Sequence, residues 1–397
     1  MTRPLSPSNA ETRRQLLQAV NGISEVLAHQ SPIDDAGGTL SATSVKALTD
    51  AGMFRMKLPT CLGGHEADPT TQILVLEALA QANSAASWCA MVGATSIALP
   101  GAFLDDAAVA EIFPSGKIPL GASAAMPIGK TERAEGGYLL TGRWPFASGV
   151  RHSDWITTGA SVAGDATGAS DDGVEHLMMT FPTTSAVIHD NWQVAGLKGT
   201  GSCDISVERL FVPKNFTWNR FHGVPKRGGP LYRFDFPGFV VNEHAGFALG
   251  LARRAMDAFV EKASTRKRGT NISGLNLAER HTVQRMVGIA DLRLRAARKL
   301  AIELNDEAWR VVDAGERISS RLQGELRAIA TYCTDVALEV VTEAFRYSGG
   351  GAAYENNILQ QCLRDMNVAA QHLMVSDMSY ETLGQMILGF PDVNPMR

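Results

Sequence analysis

The sequence is poor in cysteine, and its cysteines are not paired. The five that occur in 397 residues have no CxxC spacing: Cys61, Cys89, Cys203, Cys333 and Cys362. Disulfide scaffolds concentrate cysteine in short secreted chains, whereas scattered thiols are typical of reduced cores. The N-terminal segment MTRPLSPSNAETRRQ also lacks the apolar stretch of a secretory signal. We therefore expect free thiols in a cytoplasmic protein.

Motifs for metals and nucleotides are missing as well. The nine histidines form no HExxH or similar spacing, which argues against a metal site. No GxSxG, Walker or GxGxxG element lies between a strand and a helix, so the commonest hydrolase and nucleotide folds are excluded. The net charge of only −4 predicts neither nucleic acid nor a membrane surface as partner. We also expect no membrane span, because no apolar run approaches roughly 18 residues.

What the sequence does contain is a three-part pattern of hydrophobic periodicity. Residues 8–114 have helical spacing, with a long apolar stretch at 70–99 that predicts a buried helix. Short apolar runs separated by Gly, Asp and Ser follow to residue 213, with a hairpin loop predicted at 163–173. Helices return after a Gly- and Pro-rich linker at 219–238, the last from about Leu363 to Leu388. The predicted fold is multidomain α+β: an N-terminal helical domain (1–117), a β-barrel-like domain (118–218) and a C-terminal four-helix bundle (219–397).

The segment GRWPFASG at 142–149 does not fit an ordinary strand. Pro145 removes a backbone donor from the ladder, and Gly149 has no side chain to pack. A rigid turn that presents Trp144, Phe146 and the hydroxyl of Ser148 suits a flat heteroaromatic ligand. The alternative is a turn at a strand end with a buried tryptophan.

Four motifs in order resemble the acyl-CoA dehydrogenase superfamily over nearly the whole chain. They are GRWPFASG (142–149), GLKGTGSCDISVERLFVP (196–213), YSGGGAAYENNILQQCLRD (347–365) and a last helix that contains His372. The resemblance implies the three-domain fold predicted above. It also implies a homotetramer, because the flavin site of the superfamily is completed across subunits.

The superfamily includes dehydrogenases and oxygenases, and the position of the catalytic Glu distinguishes them. In many dehydrogenases it lies nine residues after the Arg of an Arg-Asp pair, but counting from Arg364 gives Leu373. The sequence is therefore most similar to the oxygenase components of two-component (group D) flavin-dependent monooxygenases. Two alternatives stay open. One is an FAD-dependent dehydrogenase with its base relocated to Glu243 or Glu261. The other is a degenerate homologue that binds flavin or acyl groups without turnover.

The oxygenase resemblance implies a defined chemistry. Reduced flavin (FMNH₂ or FADH₂) comes from a separate NAD(P)H:flavin reductase and reacts with O₂ to a C4a-hydroperoxide. One oxygen atom is then transferred to an aromatic or polycyclic small molecule. The resemblance assigns Ser148 to the N5/O4 edge of the flavin and His372 to a base or hydrogen-bond partner for the substrate hydroxyl. An ordinary histidine pKa of about 6.5 suits that role.

The resemblance also indicates binding residues. Trp144, Phe146 and Gly149 would form the wall of the flavin pocket, and Arg268 would contact a flavin phosphate. Gly349 and Gly350 resemble a loop that receives the nucleotide end of a neighbouring subunit's flavin. His65 and Trp88 are the predicted substrate contacts. Some aromatic hydroxylases carry a histidine about two turns after this tryptophan, where the present chain has Thr95 and Ser96.

Overall fold

The N-terminal part, which has helical periodicity in its sequence, forms five α-helices within its described residues. The computed structural model describes residues 7–114, 117–162, 174–265 and 276–395, so the hairpin loop predicted at 163–173 lies outside the described residues. The helices are α1 (Pro7–Gly37), α2 (Ala42–Asp50), α3 (Pro69–Ala82), α4 (Ser84–Phe103) and α5 (Asp106–Ile112). The Asn83 side chain accepts the Ala86 N–H and so starts α4 directly after α3 ends.

Helix α4 is long and apolar enough, by length and composition alone, to span a membrane. An 18-residue window within Ser84–Phe103 has a mean hydropathy of 1.3, although 78% of that window is buried inside the protein. A helix that is apolar on nearly every side and enclosed by other elements is typical of a protein core. The expectation that no apolar run approaches this length is wrong for α4, whereas the expectation of no membrane span stays a prediction. The predicted burial of this stretch is observed.

The middle of the chain forms one mixed, open sheet. Its strands are β1 (Gly121–Ala134), β2 (Gly137–Ala147), β3 (Trp155–Val162), β4 (His176–Pro182), β5 (Val187–Ile188), β6 (Cys203–Pro213) and β7 (Thr217–Asn219). Their spatial order is β5-β6-β2-β1-β3-β4-β7, with β1 and β3 parallel and the other neighbours antiparallel. The predicted α+β class is confirmed. The barrel-like closure is not, because β5 and β7 are the edges of the sheet in the part of the chain that the structure describes.

The described residues of the C-terminal part form three long α-helices and two short ones. They are α6 (Phe236–Thr265), α7 (His281–Asp313), α8 (Ser320–Tyr347), α9 (Ile358–Ala369) and α10 (Met378–Ile387). The single last helix predicted from Leu363 to Leu388 is wrong, because α9 ends at Ala369 and a 3₁₀ turn at Leu373–Val375 precedes α10. His372 therefore lies in the connection between two helices.

The N-terminal and C-terminal helices share one hydrophobic core, while the sheet has a core of its own. Helices α3 and α6 pack closely because α6 presents glycines to α3. A Cβ on Gly250 would lie 2.2 Å from the carbonyl oxygen of Glu77, and one on Gly246 would lie 2.5 Å from that of Ile73. Helix α3 thus packs closely on α6 and leads directly into α4, and both α4 and α6 contribute to the candidate site.

Replacing Gly250 by Ala should destabilise the protein through this contact. The added methyl group cannot be accommodated beside a backbone carbonyl, so we expect a loss of about 1–3 kcal/mol in the free energy of unfolding by urea. Gly288 on α7 is the matched control, because a Cβ there would meet nothing within 4 Å. Gly288→Ala should leave stability unchanged or raise it by up to about 1 kcal/mol. Equal stability of the Gly250→Ala and Gly288→Ala proteins would contradict this account.

Candidate active site

The turn after β2 has a strained backbone and an exposed aromatic ring. Phe146 has φ +64° and Gly149 has φ +73°, and the Ser148 N–H donates to the Phe146 carbonyl oxygen at 2.9 Å. A bulky residue at positive φ is a genuine outlier that must be imposed by its surroundings. The Phe146 ring is 68% exposed and meets the edge of Trp192. The turn therefore presents an aromatic ring to solvent beside a buried hydroxyl.

The Ser148 hydroxyl lies at one end of a buried hydrogen-bond chain. The Trp88 indole N–H donates to Ser148 Oγ at 3.2 Å. Ser148 Oγ and Ser202 Oγ are 2.7 Å apart, Ser202 Oγ and Thr200 Oγ1 are 2.6 Å apart, and Thr200 donates to the Leu197 carbonyl oxygen at 2.8 Å. All three hydroxyl residues are buried.

The number of hydroxyl protons determines the direction of this hydrogen-bond chain. A hydroxyl has one proton to donate and two lone pairs that accept. Thr200 uses its proton on the Leu197 carbonyl, so it must accept from Ser202. Ser202 therefore has no second proton and must accept from Ser148. Ser148 then donates to Ser202, accepts from Trp88 and retains one lone pair, which makes it an acceptor for any further partner.

Trp88 is also the centre of a ring cluster. The Trp88 ring meets His244, Phe247 and His372 edge to face, with centroids 5.6, 5.1 and 5.7 Å away. The His244 and His372 rings lie 4.3 Å apart. The predicted residues Trp88, Ser148 and His372 thus come together from α4, the turn after β2 and the α9–α10 connection.

Both histidines of the cluster are kept neutral by burial. Desolvation lowers the pKa of His372 to about 4. It also lowers the pKa of His244 well below its ordinary value, with smaller contributions from His372 and Lys57. His372 Nδ1 accepts the Met374 N–H at 3.3 Å, so in the neutral ring the proton is assigned to Nε2. At neutral pH His372 is a hydrogen-bond donor at Nε2.

Trp144 is not part of the site. Its side chain is fully buried in the core of the sheet, and its indole N–H donates to the Gly159 carbonyl oxygen at 2.8 Å. Gly129 and Gly142 leave room for the ring, since a Cβ on Gly129 would lie 2.2 Å from it. The predicted role of Trp144 as a flavin wall is wrong, and the alternative of a buried tryptophan at a strand end describes it.

The other predicted binding residues lie elsewhere. His65 lies beside Gly52 and Arg55. Among the described residues it has no contact with the Trp88 cluster. Gly349, with φ +70°, precedes a short 3₁₀ helix, and a Cβ on Gly350 would meet nothing within 4 Å. Their predicted contact with a neighbouring subunit's flavin stays a prediction. Arg268 lies outside the described residues.

A second polar group lies farther along α4. Lys57, with no exposed surface, donates to Glu243 Oε2 at 2.9 Å, to Thr95 Oγ1 at 3.0 Å and to the Phe239 carbonyl oxygen at 2.6 Å. Burial lowers the pKa of Lys57 and raises that of Glu243, and the ion pair opposes both shifts. Glu243, one candidate for a relocated dehydrogenase base, is thus held by a buried lysine. Glu261, the other candidate, is exposed on α6.

Sequence reasoning missed three residues of the site. Thr200 and Ser202 belong to the GLKGTGS motif, so a small-hydroxyl pattern in a recognised motif was the available signal. No such signal marked His244, which reaches Trp88 only because α6 packs beside α4.

The residues present fit a flavin. A reduced flavin carries an N5–H donor beside a planar ring system. The turn offers an acceptor-only hydroxyl at Ser148 next to the exposed ring of Phe146, on a backbone strained to hold them. Backbone strain of this kind, a bulky residue at positive φ, clusters at active sites and ligand-binding sites.

Comparison with known proteins identifies the class. Residues 10–104 match the family model of the acyl-CoA dehydrogenase N-terminal domain, and residues 243–377 match that of the C-terminal domain. The fold is that of XiaF from Streptomyces sp., solved in complex with FADH₂ and glycerol. The TM-score is 0.85 at 24% identity, covering 97% of this chain and 98% of that one.

Relatives in sequence narrow the class to oxygenases. The chain is 30% identical over 351 residues to the indole-3-acetate monooxygenase of Pseudomonas putida, covering 88% of this chain and 87% of that protein. It is 27% identical over 338 residues to the flavin-dependent monooxygenase oxygenase subunit HsaA of Rhodococcus jostii, with coverages of 83% and 86%. The chain belongs to the acyl-CoA dehydrogenase superfamily and, within it, to the oxygenase components of flavin-dependent monooxygenases. The predicted family, enzyme class and reduced-flavin cofactor are confirmed.

The depressed pKa of His372 predicts a pH dependence of stability. Unfolded histidine binds a proton below about pH 6.5, whereas folded His372 does so only near pH 4. The unfolded state therefore binds more protons in this window, and stability falls as pH drops from 6.5 towards 4. Urea unfolding at pH 7.5 and 5.0 should show this loss.

The contribution of His372 can be isolated by substitution. Asn can accept the Met374 N–H without titrating, so His372→Asn should reduce the loss between these pH values by about 2 kcal/mol. His29→Asn, at an exposed position of α1, is the control. This substitution should not change the loss of stability between pH 7.5 and pH 5.0. An unaltered pH slope in the His372→Asn protein would refute the assignment.

Proposed function

We propose that this chain hydroxylates a bicyclic aromatic substrate of the indole class, with reduced flavin supplied by a separate NAD(P)H:flavin reductase. We further propose a cytoplasmic homotetramer. The observation that carries the proposal is the direction of the Ser148 hydrogen-bond chain. Support for the substrate class comes from the 30% identity to a protein named for indole-3-acetate. The aromatic cluster of Trp88, His244, Phe247 and His372 has rings that suit contact with a planar apolar ligand.

Ser148 would hold the N5 proton of the flavin in place. When bound, the reduced flavin supplies activated oxygen for transfer to an aromatic ring. Ser148 Oγ accepts the N5–H with its remaining lone pair, while its own proton is committed to Ser202. The chain ends at the Leu197 carbonyl, which cannot take up a proton at neutral pH. The N5 proton therefore has no route away through these hydroxyls.

His372 would act on the oxygen side of the substrate. Its Nδ1 accepts the Met374 N–H, so the proton on Nε2 is the one that the ring can offer to a ligand. A neutral donor can stabilise the negative charge that develops on oxygen during transfer. The pKa of about 4 makes this role a better fit than the base assigned from the resemblance, because such a histidine is a weak acceptor of phenol protons.

Isotope labelling tests the proposed reaction. Chemically reduced FMN or FAD, supplied to the purified chain with indole and ¹⁸O₂, should yield a product heavier by one ¹⁸O atom. Mass spectrometry of the product checks this. Flavin that is oxidised to stoichiometric H₂O₂ with no labelled product, for indole and indole-3-acetate alike, would overturn the proposed substrate class.

The role of Ser148 predicts uncoupling. Ser148→Ala removes the acceptor for N5–H, so the ratio of H₂O₂ to hydroxylated product should rise by about tenfold or more, as expected for a lost hydrogen bond in a dry site. Ser148→Thr keeps the hydroxyl and should remain coupled.

The Ser202→Ala variant tests the direction of the chain. With no acceptor at position 202, the Ser148 proton can turn towards the ligand. The ratio of H₂O₂ to hydroxylated product should therefore lie between that of the wild-type protein and that of Ser148→Ala. Thr49→Val, at an exposed hydroxyl of α2, is the control. Unchanged coupling in Ser148→Ala would exclude the proposed role.

A further inference from the structure

Asp365 on α9 is a buried carboxylate that joins three separate parts of the fold. It is 1% exposed. Its Oδ1 accepts the Leu197 backbone N–H at 2.6 Å, and its Oδ2 accepts the Ser84 hydroxyl at 2.5 Å. Ser84 begins α4, and Leu197 lies in the loop before β6. Among the described residues no cation forms a salt bridge with Asp365, since the neighbouring Arg364 pairs with Asp35.

A carboxylate in this position is costly for the folded protein. Burial raises the pKa of Asp365, and the hydrogen bonds from Ser84 and Leu197 oppose that shift. Removing a carboxylate from water without an ion pair is unfavourable unless hydrogen bonds satisfy it. The two groups that Asp365 holds are therefore the ones that its position serves.

The loop before β6 is fixed on α9 at three consecutive residues. The Arg364 guanidinium donates to the Ala195 carbonyl oxygen at 2.8 Å. Gly196 lies directly against the α9 backbone, because a Cβ there would be 2.2 Å from the Arg364 carbonyl oxygen. Asp365 then binds the N–H of Leu197. A hydrogen bond from a backbone N–H to a carboxylate is among the stronger ones in proteins.

Leu197 has a backbone conformation that leucine seldom adopts. Its φ of +52° and ψ of +32° lie in the left-handed region. A side chain with a Cβ disfavours that region, so the surroundings of Leu197 must impose it. In this conformation the Leu197 carbonyl oxygen accepts from Thr200 Oγ1 at 2.8 Å and from Trp192 Nε1 at 3.2 Å. Without its bond to Asp365, Leu197 can relax and turn the carbonyl away from Thr200.

Loss of this carbonyl would reverse the hydroxyl chain that ends at Ser148. Thr200 would then have its proton free to donate to Ser202, and Ser202 could donate to Ser148. Ser148 would accept from Ser202 and from Trp88 and would keep its own proton for a ligand. The orientation of the Ser148 hydroxyl thus depends on a carboxylate that it does not touch.

We propose that Asp365 is a positioning residue that, by holding the Leu197 backbone, keeps Ser148 a hydrogen-bond acceptor and so makes the site prefer reduced over oxidised flavin. The inference rests on the proposed contact between Ser148 and flavin N5. Reduced flavin has an N5–H donor, whereas N5 of oxidised flavin is an acceptor. A serine that can only accept binds the reduced form and repels the oxidised form.

The affinities of the full-length protein for the two redox forms of one flavin test this inference. FMN and FAD are both titrated by anaerobic calorimetry, and the one that binds more tightly is used. The wild-type protein should bind the reduced form at least about tenfold more tightly than the oxidised form. Asp365→Ala should lower this ratio of affinities by about tenfold, as should Ser148→Ala. No aromatic substrate is present, so the measurement requires no turnover.

Two matched variants separate positioning from loss of structure. Asp365→Asn keeps an oxygen for the Leu197 N–H and presents an amide to Ser84, so it should preserve the wild-type ratio. Ser84→Ala removes the other hydrogen bond of Asp365 and leaves that to Leu197 intact. It should lower stability to urea without changing the ratio.

Gly196→Ala provides a second route to the same displacement if Asp365→Ala does not fold. The added methyl group moves the loop away from α9, while the carboxylate keeps its bond to Ser84. The ratio of affinities should therefore fall as in Asp365→Ala. Gly288→Ala, where a Cβ meets nothing within 4 Å, is the control and should keep the wild-type ratio.

The outcomes distinguish the two proposals. A wild-type ratio in Asp365→Ala or Gly196→Ala, together with a lowered ratio in Ser148→Ala, overturns the role of Asp365 alone. A wild-type ratio in Ser148→Ala overturns the contact with N5 and the role of Asp365 with it. A ratio that depends on both residues, in a protein that forms no hydroxylated indole, supports the role of Asp365 and contradicts only the proposed reaction.

Discussion

The hydrogen bond from the Trp88 indole to the Ser148 hydroxyl is the contact on which the site depends. A buried indole N–H requires an acceptor, and Ser148 is held at the required place by the strained turn after β2. The same indole ring packs against His372 from the α9–α10 connection. One side chain thus connects the helical core, the turn after β2 and the α9–α10 connection at the candidate active site.

The direction of the hydroxyl chain gives this contact its chemical meaning. Ser148 with a free proton would be a donor, and Ser148 with its proton committed to Ser202 is an acceptor. The difference is set at Leu197, whose carbonyl oxygen takes the last proton of the chain. Backbone geometry three hydrogen bonds away from Ser148 therefore decides whether its hydroxyl can accept a hydrogen bond from a further partner.

Periodicity and motifs in the sequence predicted the three-part fold, Ser148, Trp88 and His372, and the structure brings these three residues together. They failed at Trp144, and the reason is local. Trp144 and Phe146 are two residues apart and belong on one face of a regular strand. The register of β2 against β6 shifts between Trp144 and Ala147, and the positive φ of Phe146 turns its ring outwards. The alternation of apolar and polar residues does not reveal a bulge of this kind. The sequence pattern therefore predicted the same role for the buried ring of Trp144 and the exposed ring of Phe146.

The rest of the site depends on contacts that are distant in sequence. Lys57 and Glu243 are 186 residues apart, and His244 reaches Trp88 only through the packing of α6 on the N-terminal helices. Neither Lys57 nor His244 carries a signal in the sequence, since a lysine after an apolar segment predicts a solvated loop as readily as a buried pair. Ser148 and Ser202 are also far apart in sequence, by 54 residues. The direction of the hydroxyl chain therefore follows from how the sheet and its loops are folded, and the motifs alone do not express it.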